Sequence, residues 1–252
     1  MGLGISDYDN DGDADLIYSN IGDMGVMTPL VKGDLRKDQN YHTKHGILEN
    51  QGGFIFVDIG TEAQIADYEF GWGVVSEDLN NDTRQDVLIM ENYVDLPQHQ
   101  FFPLPGRLLL QAEDGRLTNR ESESGVVNRH NGIAPLTADF NQDGSLDLVY
   151  ANLDGPSRAF LAEDLKQNYL QVRLPYDARS LGAKVTLTLE DDTSLTDWWI
   201  TGEGLASDIS HDLHFGLADH TVSQVAVEWL DGTIQTIQTP TLNQILIITP
   251  DV

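Results

Sequence analysis

An acidic decapeptide that occurs three times constrains this chain more than any other feature. Asp7-Tyr8-Asp9-Asn10-Asp11-Gly12-Asp13-Ala14-Asp15-Leu16 returns as Asp78-Leu79-Asn80-Asn81-Asp82-Thr83-Arg84-Gln85-Asp86-Val87 and as Asp139-Phe140-Asn141-Gln142-Asp143-Gly144-Ser145-Leu146-Asp147-Leu148. The copies start 71 and 61 residues apart. Each runs into a short apolar segment (Leu16-Ile17-Tyr18, Val87-Leu88-Ile89, Leu148-Val149-Tyr150) and soon meets an Asn at 20, 92 or 152. Upstream, Gly71-Trp72-Gly73 and Gly132-Ile133-Ala134 hold equivalent places, and Gly2 aligns with Gly73, so the first copy begins mid-unit and further repeats are expected before it. A later part of the unit is echoed between Ile47–Phe54 and Leu109–Leu117. Apolar runs this short, bounded by Gly, Asn and Asp and without a sustained 3.6-residue period, predict strands and turns. An all-β unit of 60 to 70 residues has the size of a propeller blade with long loops.

Oxygen donors at alternate positions 1, 3 and 5, a turn residue at 6, a backbone carbonyl at 7 and a carboxylate at 9 suit a hard cation. Calcium takes six to eight such oxygens at variable geometry, whereas magnesium demands a tight octahedron. The predicted side-chain ligands are Asp7, Asp9, Asp11 and Asp15; Asp78, Asn80, Asp82 and Asp86; and Asp139, Asn141, Asp143 and Asp147, with Asp13, Arg84 and Ser145 supplying carbonyls. Up to three Ca²⁺ are expected, which would lift the formal charge of −27 by six. Without a cation, packing these carboxylates together costs on the order of several kcal/mol. An EF-hand fails on two counts: its position 12 should be Glu, where this chain has Tyr18, Ile89 and Tyr150, and its flanks should be helical.

The decapeptide, the following strand and the upstream glycines resemble the FG-GAP or VCBS repeat of integrin-like β-propellers, over residues 1 to about 165. That resemblance implies structural Ca²⁺ between the strands of a blade. Thr83 departs from it at position 6, where a left-handed backbone favours Gly.

From Asn168 the acidic loops stop and strand-like alternation takes over, at Tyr169–Leu174, Ala183–Leu189, Val225–Trp229 and Gln244–Ile248, with Asp231-Gly232 as a tight-turn signal. The stretches Asn168–Leu174, Leu181–Val185, Gly202–Leu205, Leu213–Leu217, Val225–Thr233 and Asn243-Gln244 look like an ASPIC/UnbV domain, which commonly follows VCBS repeats in the cartilage acidic protein 1-like family. Leu230 stands where that family usually has Pro, and Ala218 where it usually has Gly after Phe-Gly-Leu. The expected architecture is all-β: a partial β-propeller over 1–165, then a small β-sandwich or barrel over 166–252.

Charge narrows the partners. With 14 Lys and Arg against 41 Asp and Glu, a phosphate-binding patch is hard to build, so neither nucleic acid nor an anionic membrane surface is expected. No run of 18 apolar residues predicts membrane insertion, Met1–Asp7 lacks the basic and apolar regions expected of an export signal, and zero cysteine excludes thiolate sites and disulfides. No nucleophile elbow, Walker loop or dinucleotide fingerprint occurs. His211, His214 and His220 are close in sequence, but His214 falls within the Phe-Gly-Leu signature and reads as structural. On an alternating strand one of Trp198 and Trp199 faces the core. Asn81-Asp82-Thr83 matches a glycosylation sequon inside a predicted calcium loop.

The expected role is non-enzymatic: an interaction or adhesion module that is extracellular, displayed on the cell surface or periplasmic, where millimolar calcium suits such loops. A protein or glycan ligand on the loop face is the expected partner, with the inserts 21–45 and 93–106 as candidate contact surface. The alternative is a glycan-active enzyme, or an accessory subunit of one, on a propeller scaffold.

Overall fold

The computed structural model describes residues 1–22, 36, 38, 42–91, 104–153, 155–163 and 165–250. Most of the inserts 21–45 and 93–106 therefore lies outside the described residues. The fold is all-β, with one helical turn among the described residues, α1 (Glu121–Ser124), closed by Gly125 at φ +77°.

Three antiparallel sheets follow one another along the chain as propeller blades. The first runs β1 (Leu3–Ser6), β2 (Asp15–Tyr18), β3 (Gly46–Asn50), β4 (Phe56–Asp58), in that spatial order. In the second, β5 (Gly71–Glu77), β6 (Asp86–Glu91), β7 (Arg107–Gln111) and β8 (Leu117–Asn119) repeat the pattern. The third has β9 (Gly132–Ala138), β10 (Asp147–Asn152) and β11 (Arg158–Phe160). Each blade begins with the strand that precedes an acidic loop, so β1, β5 and β9 lie innermost and pack side by side. Glycine permits that approach: a Cβ on Gly2 would sit 2.5 Å from the Val74 amide, and one on Gly73 would sit 2.6 Å from Pro135. Burial follows position. Every residue of β6, Asp86-Val87-Leu88-Ile89-Met90-Glu91, is buried because its blade has a neighbour on each side, whereas all three of β4 are exposed at the rim.

The remaining strands build two sheets. β12 (Asn168–Arg173) lies between β15 (Asp212–Ala218) and β18 (Ile245–Ile247), parallel to the latter. Opposite, the order is β14 (Ser194–Trp198), β13 (Lys184–Leu189), β16 (Val222–Glu228), β17 (Ile234–Gln238). One apolar cluster joins both inner faces, from Leu170 and Val172 through Val185, Leu187 and Phe215 to Trp229 and Ile248. A shared core between facing sheets makes this a sandwich. The expected turn is present at Gly232 (φ +82°), whose N–H donates to the Trp229 carbonyl at 2.8 Å. Ala218, at the position where the resemblance implies glycine, holds φ +48° beside an irregularity in the β12–β15 register.

Candidate metal centres

Each acidic loop joins the first strand of a blade to the second, and all three have the same backbone. Positions 4 and 6 are left-handed: Asn10 (+58°) and Gly12 (+88°), Asn81 (+58°) and Thr83 (+76°), Gln142 (+60°) and Gly144 (+88°). Two such residues one apart curl the chain so that its amides face the side-chain oxygens. The position-1 carboxylate accepts the N–H of position 6 in every copy: Gly12 to Asp7 at 3.0 Å, Thr83 to Asp78 at 2.7 Å, Gly144 to Asp139 at 2.9 Å. The position-5 carboxylate accepts the N–H of position 7, from Asp13 to Asp11, Arg84 to Asp82 and Ser145 to Asp143. The position-9 carboxylate accepts two N–H groups. One is at position 2 (Tyr8 to Asp15, Leu79 to Asp86, Phe140 to Asp147), and the other is at or just past the third strand (Asn50, Gln111, Ala162).

The copies differ in charge. In the first loop the carboxylates of Asp7, Asp9 and Asp15 come within 4.8 Å of one another, the one such triple among the described residues. Burial pushes Asp7 up to about 7, the charges of Asp11, Asp9 and Asp15 adding to the effect and the Gly12 N–H opposing it. Burial likewise raises Asp15 to about 6, against hydrogen bonds from Asn50 and Tyr8. Carboxylates that hold protons near neutrality in an all-oxygen loop are a donor set a hard cation would relieve, so these residues fit Ca²⁺. The second loop carries its own cation: the Arg84 guanidinium pairs with Asp82 and donates to the Gln111 carbonyl at 3.0 Å. Asp78 is still raised to about 7 by burial and then by Asp82, and burial holds Asp86 well above its usual range. In the third, Asn141 Nδ2 donates to Asp143 at 2.7 Å and Gln171 Nε2 to Asp139 at 3.0 Å.

Position 4 carries a role that sequence reading did not assign. Asn10 Nδ2 donates to the Thr83 carbonyl at 3.1 Å, and Asn81 Nδ2 to the Gly144 carbonyl at 3.0 Å, so the first loop is tied to position 6 of the second and the second to position 6 of the third. The signal was an amide side chain at position 4 of all three copies: Asn10, Asn81 and Gln142. The sandwich packs on this belt. Lys184 Nζ donates to the Gly12 carbonyl at 2.5 Å, Ala218 N–H to the Asn81 carbonyl at 2.8 Å, and the Tyr169 ring lies over Gly144. His214 Nε2 is 2.7 Å from Asn81 Oδ1. With Asn81 Nδ2 committed to Gly144, that oxygen accepts and the ring N–H donates. Burial lowers His214 to about 4, which keeps it neutral, as a structural histidine requires. Trp199 is buried and Trp198 lies under Lys184 Nζ at 5.6 Å, so one indole does face the core.

Residues 176–252 match the family model described as ASPIC and UnbV. This segment is similar to the ASPIC/UnbV family. The match begins in the turn after β12, a strand that the structure nonetheless hydrogen-bonds between β15 and β18 of the same sandwich. The chain is also similar to cartilage acidic protein 1 of Xenopus tropicalis, 24% identical over 271 residues, covering 84% of this chain and 42% of that protein. To cartilage acidic protein 1 of Homo sapiens it is 30% identical over 106 residues, covering 41% of this chain and 14% of that protein. The chain thus spans less than half the length of these relatives. Among the described residues no helix is long and apolar enough to cross a membrane.

Proposed function

We propose that the chain is part of a calcium-binding, non-enzymatic interaction module, exported or displayed at the cell surface, whose blades are FG-GAP/VCBS repeats with structural Ca²⁺ sites. The observation that carries this is the triple of buried Asp7, exposed Asp9 and buried Asp15, whose carboxylates converge in a loop with a backbone that recurs at Asp78–Asp86 and Asp139–Asp147. A bound cation supplies charge neutralisation and a cross-link among loop oxygens. The chain's own residues do the rest: the position-9 carboxylates anchor each loop to its third strand, and Asn10 and Asn81 align the loops edge to edge.

Similarity to cartilage acidic protein 1 supports the outside location. The partner this reading expects is a protein or glycan ligand on the loop face, with the inserts 21–45 and 93–106 as candidate contact surface.

Calorimetric titration with Ca²⁺, combined with elemental analysis, tests the reading. Up to three sites are expected, the first tightest, and each should add roughly 1.4 kcal/mol of stability at tenfold excess over its Kd. An unchanged melting temperature in EDTA, with no calcium in the purified protein, removes the proposal.

A further inference from the structure

A four-stranded and a three-stranded sheet give the sandwich four edges, and among the described residues they are treated differently. β15 is covered by the second loop through Asn81, and β14 packs against β1. β18 is three residues long. β17 is a five-residue edge strand that, among the described residues, pairs with β16 on one side and with no strand on the other. Its register with β16 is antiparallel, and the flanking bonds Trp229 N–H to Thr233 O (2.9 Å) and Thr239 N–H to Ser223 O (2.8 Å) fix the phase of the ladder. Gln235 and Ile237 therefore bond inward, while Ile234, Thr236 and Gln238 turn N–H and C=O outward. All three are exposed, and their backbone groups meet no partner among the described residues.

Native edges are usually blunted by Lys, Pro or charge. In a chain with 55 charged residues, Ile234-Gln235-Thr236-Ile237-Gln238 has none of these. Next to its start lies a cavity of about 610 Å³ lined by Arg179, Trp229, Leu230, Ile234, Gln235 and Pro250. Leu230 and Ile234 are each 67% exposed there. On the same lining residues a buried donor, Trp229 Nε1, and a buried acceptor, Gln235 Oε1, have no hydrogen-bond partner.

We propose that β17 is a docking edge for an extended peptide segment of a partner protein, which adds as a further strand and sets an apolar side chain into the adjoining cavity. Three outward N–H/C=O pairs supply the main-chain ladder, and the cavity supplies side-chain selectivity. Exposed Glu228 and Asp231 flank the strand, and the molecule carries −27, so the segment is basic on either side of its apolar residue. A second copy of this chain is disfavoured by the same charge. This surface belongs to the sandwich and involves none of the acidic loops.

The test uses the full chain and a fluorescein-labelled peptide, acetyl-Lys-Thr-Val-Thr-Leu-Thr-Lys-amide, with and without EDTA. Saturable binding is expected in both media, so a failure here leaves the calcium reading untouched. Thr236→Pro removes one outward N–H, and Ile234→Lys adds a like charge at the edge while keeping the ladder. Each should weaken binding about tenfold or more. Binding should slow hydrogen exchange at Ile234, Thr236 and Gln238, and the peptide N-methylated at every central residue should not bind. No saturable binding up to about 1 mM overturns the proposal. So does wild-type affinity in both variants, or sedimentation showing that the free protein dimerises with those three amides protected.

Discussion

Thr83 holds φ +76° where the other two loops have Gly12 and Gly144 at +88°. A β-branched residue in that region costs on the order of 1–3 kcal/mol, offset in part because glycine makes the unfolded chain more flexible. Thr83→Gly should therefore raise stability in chelator by about 1 kcal/mol, read from urea unfolding; no change would mean that the loop relaxes without cost. The reciprocal change is informative at Gly12, where an added Cβ meets Lys184 Nζ only at 3.8 Å. At Gly144 it is not a test of φ alone, since the Cβ would fall 1.9 Å from the Tyr169 ring. Gly144→Thr should therefore lower cation affinity and also dislodge Tyr169, visible as tyrosine exposure.

At the scale of the loop, the position-9 carboxylate holds two backbone amides and is the anchor of the element. Asp86→Ala leaves the Leu79 and Gln111 N–H groups unpaired in a buried site and should cost roughly 2–5 kcal/mol with or without calcium. A loss confined to calcium-containing buffer would show that Asp86 serves only as a ligand. The loops also impose a pH dependence. Asp7 and Asp78 rise to about 7 and Asp15 to about 6, so between the ordinary carboxylate range and neutrality the folded chain binds more protons than the unfolded one. Stability in chelator should then fall as pH rises from about 4 to about 7 and level off above. Saturating calcium should flatten the profile, because a bound cation displaces those protons. A chelated protein whose urea midpoint is constant across that range would contradict the burial argument.

At the scale of the whole molecule, the sandwich is self-contained in its core and dependent in its placement. Every member of its apolar cluster lies between Leu170 and Ile248, so residues 166–252 expressed alone should give dispersed β-type amide spectra in EDTA. A collapsed spectrum would show that the domain borrows its core from the blades. Placement runs through Lys184, Gln171, His214 and Ala218, all on the acidic belt. His214→Ala would leave Asn81 Oδ1 unpaired where two units meet. It should speed hydrogen exchange at Asn81 and Ala218 before the core strands respond, at a cost of about 1–3 kcal/mol.

Much of this was written in local spacing. The decapeptide period set the three blades, because alternate oxygens at 1, 3 and 5 and a turn at 6 are a short-range property of the chain. The alternation after Asn168 set a separate β unit, and Asp231-Gly232 set its hairpin, for the same reason. Sequence could name Asp7, Asp9 and Asp15 as ligands, but the burial of Asp7 and Asp15 that raises their proton affinity is decided by contacts many residues apart, as with Asn50 on Asp15. The same holds for Asn10 reaching Thr83, for the sandwich seated on the loops rather than trailing behind them, and for β17 left as an open edge. Strand order within a sheet and the packing of one unit on another depend on long-range pairing, which no window of ten residues contains; only the tertiary structure decided them.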